Sequence, residues 1–246
     1  MPISPDFSSV LTQEWTVNFL QCYPTGTMKH TDLCNILQLT AALHAELGGI
    51  SFTDMQVHNQ AWVLSRMRVE IQEMPKWRDV ITVKTWIQSL ANSRSIRCLE
   101  VYLGSKKIIG CETFWAVFNT MTRRPEALAL PFEHFTLYPD RATEVAFGRI
   151  DLPQGMPQVG QHKVVLSDLD IVNHANSVKY LEWCLDALPL EAVTQQALVS
   201  LEMNYLKEVA IQDTLTLHLL ETPTTFTFGL QREGAACFAL QVGRRK

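Results

Sequence analysis

The chain has 246 residues, of which 47% are hydrophobic and 19% charged, with a formal net charge of −4 and a pI near 6.0. That is enough apolar material for one large domain or two small ones, and the acidic balance gives no reason to expect a nucleic-acid partner despite the short basic pairs Lys106-Lys107 and Arg123-Arg124. Six cysteines without CxxC or CxxH spacing argue against a bound metal and a dense disulfide framework, and leave buried free thiols as the expectation.

The opening MPISPDFSSVLTQEW has neither a basic n-region nor an apolar h-region, and no apolar run approaches ~18 residues. A soluble cytoplasmic protein with no stable membrane insertion is therefore expected. Trp15 to Cys22 alternates as a strand does, and Tyr23 to Gly26 breaks it. Thr31 and Asp32 then cap a helix whose stripe runs Leu33, Ile36, Leu37, Ala41, His44 and Leu47, with Gly48-Gly49 ending it. His44 on that stripe reads as a hydrogen-bonded core histidine and is given no role. Four runs rich in aromatic and β-branched residues follow: Ala61 to Gln72, Val80 to Gln88, Ser93 to Leu103 and Lys107 to Asn119. They predict a sheet with one face covered by the helix.

Residues 125–160 hold five of the eleven prolines and few periodic segments, which marks a connection between two units. Past it the order repeats: a strand at Lys163 to Leu166, a helix from Ser177 to Leu188 capped by Asn176 and stopped by Pro189, then strands at Leu198 to Leu206, Thr214 to Glu221, Thr224 to Arg232 and Cys237 to Val242. DVITV from Asp79 is echoed by DTLTL from Asp213. The matched order predicts an internal duplication of α+β class, with a first unit over 1–124, a connection over 125–160 and a second unit over 161–246.

The stretch DLDIVNHANSVKYLEWCLDALP, Asp168 to Pro189, brings Asp170, Asn173 and His174 to the approach of a helix N-terminus. Free backbone N–H groups there suit a developing oxyanion, although Asp170 and Asn173 would serve equally as turn and cap residues. Superposing the two helices by their caps, Thr31 on Asn176, sets Thr25 opposite Asp170 and Lys29 opposite His174, and the strand echo sets Met74 opposite Glu208. The second half then carries acid/base groups, and the first is left to enclose something apolar. Glu208 ends an apolar strand beside Val209, Ala210 and Ile211, where a glutamate is ordinarily solvated. Two carboxylates and an imidazole are nevertheless sufficient to position and deprotonate water. There is no GxSxG, and Cys184, between Trp183 and Leu185, reads as a packed thiol.

DLDIVNHANSVKYLEW and NYLKEV, together with WVLSRMRVEI, KWRDVITVKTW and TFWAVFNTMTRRP, resemble the acyl–acyl carrier protein thioesterases of plants and bacteria over most of the chain. The resemblance implies a tandem (double) hot-dog fold, two antiparallel sheets each wrapped on a central helix. It implies hydrolysis of fatty acyl–acyl carrier protein, with Asp170, His174 and Glu208 in the catalytic positions and an acyl-chain pocket in the first unit. Two departures stand out. The family commonly has Asn where this chain has Val172, so that either Asn173 substitutes as the donor or the amide is dispensable, and the cysteine frequent in plant members is Val209. No cofactor or metal is implied, and a homodimer is left open. An acyl-coenzyme A thioesterase and a non-catalytic acyl-binding module remain as alternatives.

Overall fold

The computed structural model describes residues 3–195 and 198–245, which form two compact units: residues up to Ser65 with Glu73–Ala146, and Arg66–Gln72 with the chain from Phe147 onward. Among the described residues no helix is long and apolar enough to cross a membrane.

In the first unit, strands β1 (Val10–Thr16), β3 (Val80–Ala91), β4 (Arg94–Leu103) and β5 (Lys106–Asn119) pair antiparallel in that order. Strand β2 (Gln60–Ile71) begins in this unit, and the short β6 (Arg124–Pro125) flanks β5. The first strand is earlier than the expected Trp15 to Cys22. Asn18 accepts the Leu20 N–H at 3.1 Å and its own N–H donates to Gln21 Oε1 at 3.0 Å, turning Phe19–Gln21 into a 3-10 turn in place of a ladder.

Helix α1 (His30–Leu47) is also capped two residues before the expected Thr31, at Lys29, whose N–H is held by the Gln21 carbonyl at 2.7 Å. A tertiary contact thus sets a boundary that Thr31 and Asp32 would have set locally. The helix buries Leu33, Ile36, Leu37 and Ala41 toward β1 and β3, and Trp15 Nε1 donates to Thr40 Oγ1 at 3.0 Å. A five-residue helix, α2 (Phe52–Gln56), follows under a Ser51 capping box.

His44 lies in this core with Arg97 Nη1 at 2.6 Å from its Nδ1 and the Ser8 carbonyl at 2.9 Å from its Nε2. Guanidinium can only donate, so Nδ1 accepts and Nε2 carries the proton given to Ser8. Burial, aided by Arg97, holds the His44 pKa at about 3, and burial alone holds that of His30 at about 4.

In the second unit Arg66–Glu70 of β2 pairs with β8 (Leu198–Tyr205), followed by β11 (Ala235–Arg244), β10 (Thr225–Arg232), β9 (Thr214–Glu221) and β7 (Gln158–Lys163), all antiparallel. The strand expected at Lys163 to Leu166 instead ends at Lys163, since Asp168 Oδ2 accepts the Val165 N–H at 2.9 Å and closes a 3-10 turn over Leu166–Asp168. Helix α3 (Ser177–Leu185) stops three residues short of the expected Leu188. Pro189 restricts Leu188, offers no N–H itself, and caps the separate α4 (Leu190–Thr194).

Residues 126–157 contain neither helix nor strand. Up to Ala146 they are tied to the first unit: Arg141 forks onto the buried Glu112 at 3.0 and 2.7 Å, and Trp86 Nε1 donates to the Asp140 carbonyl at 3.1 Å. Gly110 lets the segment lie against β5, as a Cβ there would sit 2.0 Å from the Ala142 oxygen. From Phe147 the tether is to the second unit, where Glu202 Oε1 accepts the Gly148 N–H and Asn204 Oδ1 the Ile150 N–H, both at 2.8 Å.

The buried imidazoles make the protein acid-sensitive. Their folded pKa values are depressed from the usual 6.5, so below that value the unfolded chain binds more protons and stability falls with pH. The denaturant midpoint should drop between pH 6.5 and 5. His44→Gln, which can keep both hydrogen bonds without titrating, should make that drop shallower.

Candidate active site

Each unit contains the same backbone frame. In the first, the Tyr23 N–H donates to Thr27 (2.8 Å), Gly26 to Tyr23 (2.9 Å), Lys29 to Gln21 (2.7 Å) and Met28 to Pro75 (2.8 Å). In the second, Asp170 donates to His174 (2.9 Å), Asn173 to Asp170 (3.1 Å), Asn176 to Asp168 (2.8 Å) and Ala175 to Val209 (3.0 Å). Asp170, Asn173, His174 and Glu208 therefore correspond to Tyr23, Gly26, Thr27 and Met74. The cap-based superposition, which set Thr25 and Lys29 opposite Asp170 and His174, is two residues out because α1 begins early; the Met74 correspondence stands.

The second frame positions the polar groups. The Ala175–Val209 bond holds the turn against the loop after β8, and His174 Nε2 lies 3.5 Å from Glu208 Oε2 with both side chains about one third exposed. Asp170 Oδ1 accepts the N–H of Val172 at 3.0 Å and of His174 at 3.3 Å, so its carboxylate fixes the backbone that carries the imidazole. Asn173 has φ +64, in the left-handed region, as Gly26 has φ +78 in the first unit. Its side chain is exposed and makes no hydrogen bond among the described residues. Asn176 caps α3 by accepting the Val178 N–H at 2.9 Å.

Three further residues support the site and were not singled out from sequence. Tyr180 is buried against Trp183, Tyr205 and Phe238, and its hydroxyl accepts the Val209 N–H at 3.2 Å; burial pushes its pKa up. His162 stacks on Trp183 at 4.2 Å and meets Asp168 Oδ2 at 2.8 Å. Burial opposes ionisation of Asp168, but the Val165 N–H and His162 outweigh it and hold the carboxyl below its usual range. A buried tyrosine hydroxyl generally needs a partner, which was the one available signal for Tyr180. The His162–Asp168 contact depends on tertiary placement of β7.

Cys184 is buried and its thiol is pushed far up by burial, so no thiolate is available there. Among the described residues no group of three or more His, Cys, Asp or Glu is arranged to hold a metal. A recess of about 530 Å³ at the β3–β4 turn, lined by Asn92, Arg94, Ile96 and Phe114 among others, contains none of the four candidate residues. His174 and Glu208, the two candidate acid/base groups, thus lie 3.5 Å apart close to the start of α3.

Antiparallel strands and a helix in each unit, with a repeated frame, make this a tandem hot-dog protein, and known structures agree. An acyl-ACP thioesterase from Bacteroides thetaiotaomicron superposes with a TM-score of 0.89 at 25% identity, covering 96% of this chain and 98% of its own. The 12:0-ACP thioesterase from Umbellularia californica shares the fold at a TM-score of 0.83 and 18% identity, covering 97% of this chain and 98% of its own. The chain belongs to the acyl-ACP thioesterase family: the family's N-terminal domain matches residues 8–132 and its C-terminal domain residues 154–237. The chloroplastic oleoyl-acyl carrier protein thioesterase of Coriandrum sativum is 26% identical, over 90% of this chain and 67% of its own length. The chloroplastic palmitoyl-acyl carrier protein thioesterase of Gossypium hirsutum is 27% identical, over 81% and 52%. The chain thus spans between about half and two thirds of these plant relatives.

The left-handed turn separates two roles for Asn173. Asn173→Gly keeps the backbone conformation and removes the amide, whereas Asn173→Ala adds ~1–2 kcal/mol of strain. Turnover within a few-fold of wild type in the glycine variant, with lowered thermal stability in the alanine variant alone, is the outcome expected of a turn residue. A ~10- to 1000-fold loss in both would mark the amide as a carbonyl donor.

Proposed function

We propose that the protein hydrolyses the thioester joining a fatty acyl chain to an acyl carrier protein, releasing the free fatty acid and the carrier thiol. The observation that carries this reading is the His174–Glu208 approach of 3.5 Å at the N-terminal end of α3, in a chain of this family. Glu208 takes the proton of the attacking water and hands it to His174, which orients that water and delivers the proton to the departing thiolate. The water oxygen bonds to the acyl carbon, the C–S bond breaks, and N–H groups at the start of α3 stabilise the carbonyl oxygen meanwhile. Asp170 is a positioning residue, acting through the His174 backbone. Asn173, the donor implied by resemblance, is assigned the turn.

The first unit, with Met74, Thr27 and Tyr23 in the frame positions, is assigned the acyl chain, lying along the buried face of α1. Neither nucleic acid nor membrane enters this reading. A homodimer is not required by it, since Asp170, His174 and Glu208 belong to one unit of one chain.

Glu208→Gln and His174→Ala should each lower kcat by ~100-fold or more on acyl-carrier thioesters. Asp170→Ala should approach that loss, while Asp170→Asn should recover most of it, because an amide oxygen can accept the same two N–H groups. Full activity of Glu208→Gln would remove the base from the mechanism.

The chain-length reading has its own test. Each methylene buried contributes about 0.8 kcal/mol only while the pocket has room, so Ala41→Phe should shift kcat/KM toward shorter acyl chains. In a folded variant, an unchanged profile or an equal loss at every length would take the acyl chain away from α1.

A further inference from the structure

The turn that carries the candidate catalytic residues breaks a local rule. Asp170 to Asn173 is a tight turn closed by the Asn173 N–H on the Asp170 carbonyl at 3.1 Å, and its corners are Ile171 and Val172. Such corners are ordinarily Pro, Gly, Asn, Asp or Ser. The corresponding corners of the first unit are Pro24 and Thr25, so the frame does not demand β-branched apolar side chains. Nor does the core use them: Ile171 is 89% exposed and Val172 43%.

Other exposed apolar side chains lie on the segments joined to this turn. Leu166 is 81% exposed, Val165 47% and Ile211 39%. The Gln212 N–H to Val164 and the Val164 N–H to Asp213, both 2.9 Å, zip these segments together beside the Ala175–Val209 bond. Lys163 and Lys207, both exposed, have no carboxylate within ion-pair distance among the described residues. Scattered exposed apolar residues are ordinary, but five on the joined segments that carry the candidate pair, in stretches that also hold two exposed lysines, have the composition of an interaction surface.

We propose that Ile171, with Leu166 beside it, is the contact point for the carrier protein that delivers the acyl chain, and that Lys163 and Lys207 steer its acidic surface. The proposal rests on the functional reading above. Exposed apolar side chains at the corner of a short turn can enter a partner's surface without disturbing the turn's own hydrogen bonds. The phenylalanine and leucine at Phe19 and Leu20, 68% and 69% exposed, show that the 3-10 turn is apolar in both units; the apolar corner is peculiar to the catalytic turn.

The test compares Ile171→Ser and Ile171→Leu with wild type on two substrates bearing the same acyl group, one on the carrier protein and one on N-acetylcysteamine. A separate anisotropy titration with unacylated holo-carrier measures binding without turnover. Expected are a ~10-fold or greater rise in KM for the carrier substrate in Ile171→Ser, little change in kcat, and no change with N-acetylcysteamine. The carrier Kd should weaken in parallel, and leucine should restore both. Equal loss on the two substrates, unchanged KM with the carrier, or no recovery with leucine would overturn the proposal. So would a wild-type dimer that Ile171→Ser dissociates in sedimentation, which would assign the surface to a second copy. If wild type hydrolyses no acyl-carrier thioester, the functional reading fails, and the titration still decides whether the carrier docks at Ile171.

Discussion

The site depends on one backbone hydrogen bond, from Ala175 to the Val209 carbonyl. It joins a turn to a loop more than thirty residues later in the chain, and through it an imidazole and a carboxylate come within 3.5 Å while both remain partly solvated. Tyr180 secures the same residue through its other backbone group by accepting the Val209 N–H. The placement of the candidate pair is thus supplied by backbone geometry and a buried phenol, and both side chains keep access to water.

The first unit keeps this frame without the candidate acid/base groups. Met74 stands where Glu208 does, 2% exposed, and Thr27 where His174 does, 6% exposed. Its buried polar groups lie elsewhere: burial disfavours the charged forms of His30 and His44, and Arg97, 5% exposed, donates to His44 and Thr85. Such groups cost stability on burial and are tolerable because each finds at least one partner. A duplicated fold can divide labour in this way because the frame is made of backbone, which constrains side-chain identity only at the left-handed position shared by Gly26 and Asn173.

The long proline-rich connection is structured without secondary structure. Some of its carbonyls and N–H groups are taken up by side chains of the strands, Trp86, Glu202 and Asn204 among them.

Local sequence by itself determined the elements: the alternation of β2 to β5 and β8 to β11, the apolar stripe of α1, the cap of α3 and the order that repeats. It also singled out Asp170, His174 and Glu208, because acidic and imidazole groups were out of place beside an apolar helix and strand. The boundaries at Thr16, Lys29 and Lys163 were decided by turn hydrogen bonds, of Asn18 with Leu20 and Gln21, of Lys29 with Gln21 and of Asp168 with Val165, that compete with the strand and helix patterns. The same holds for the site. Sequence could say that Asp170 might cap a turn or act as a base, but the two N–H groups on its Oδ1 come from the way the turn is folded back. The register of the two halves likewise became readable only once Met28 and Ala175 were seen to bond equivalent carbonyls, because helix propensity at Thr31 and Asp32 is weaker than the contacts that start α1 at His30.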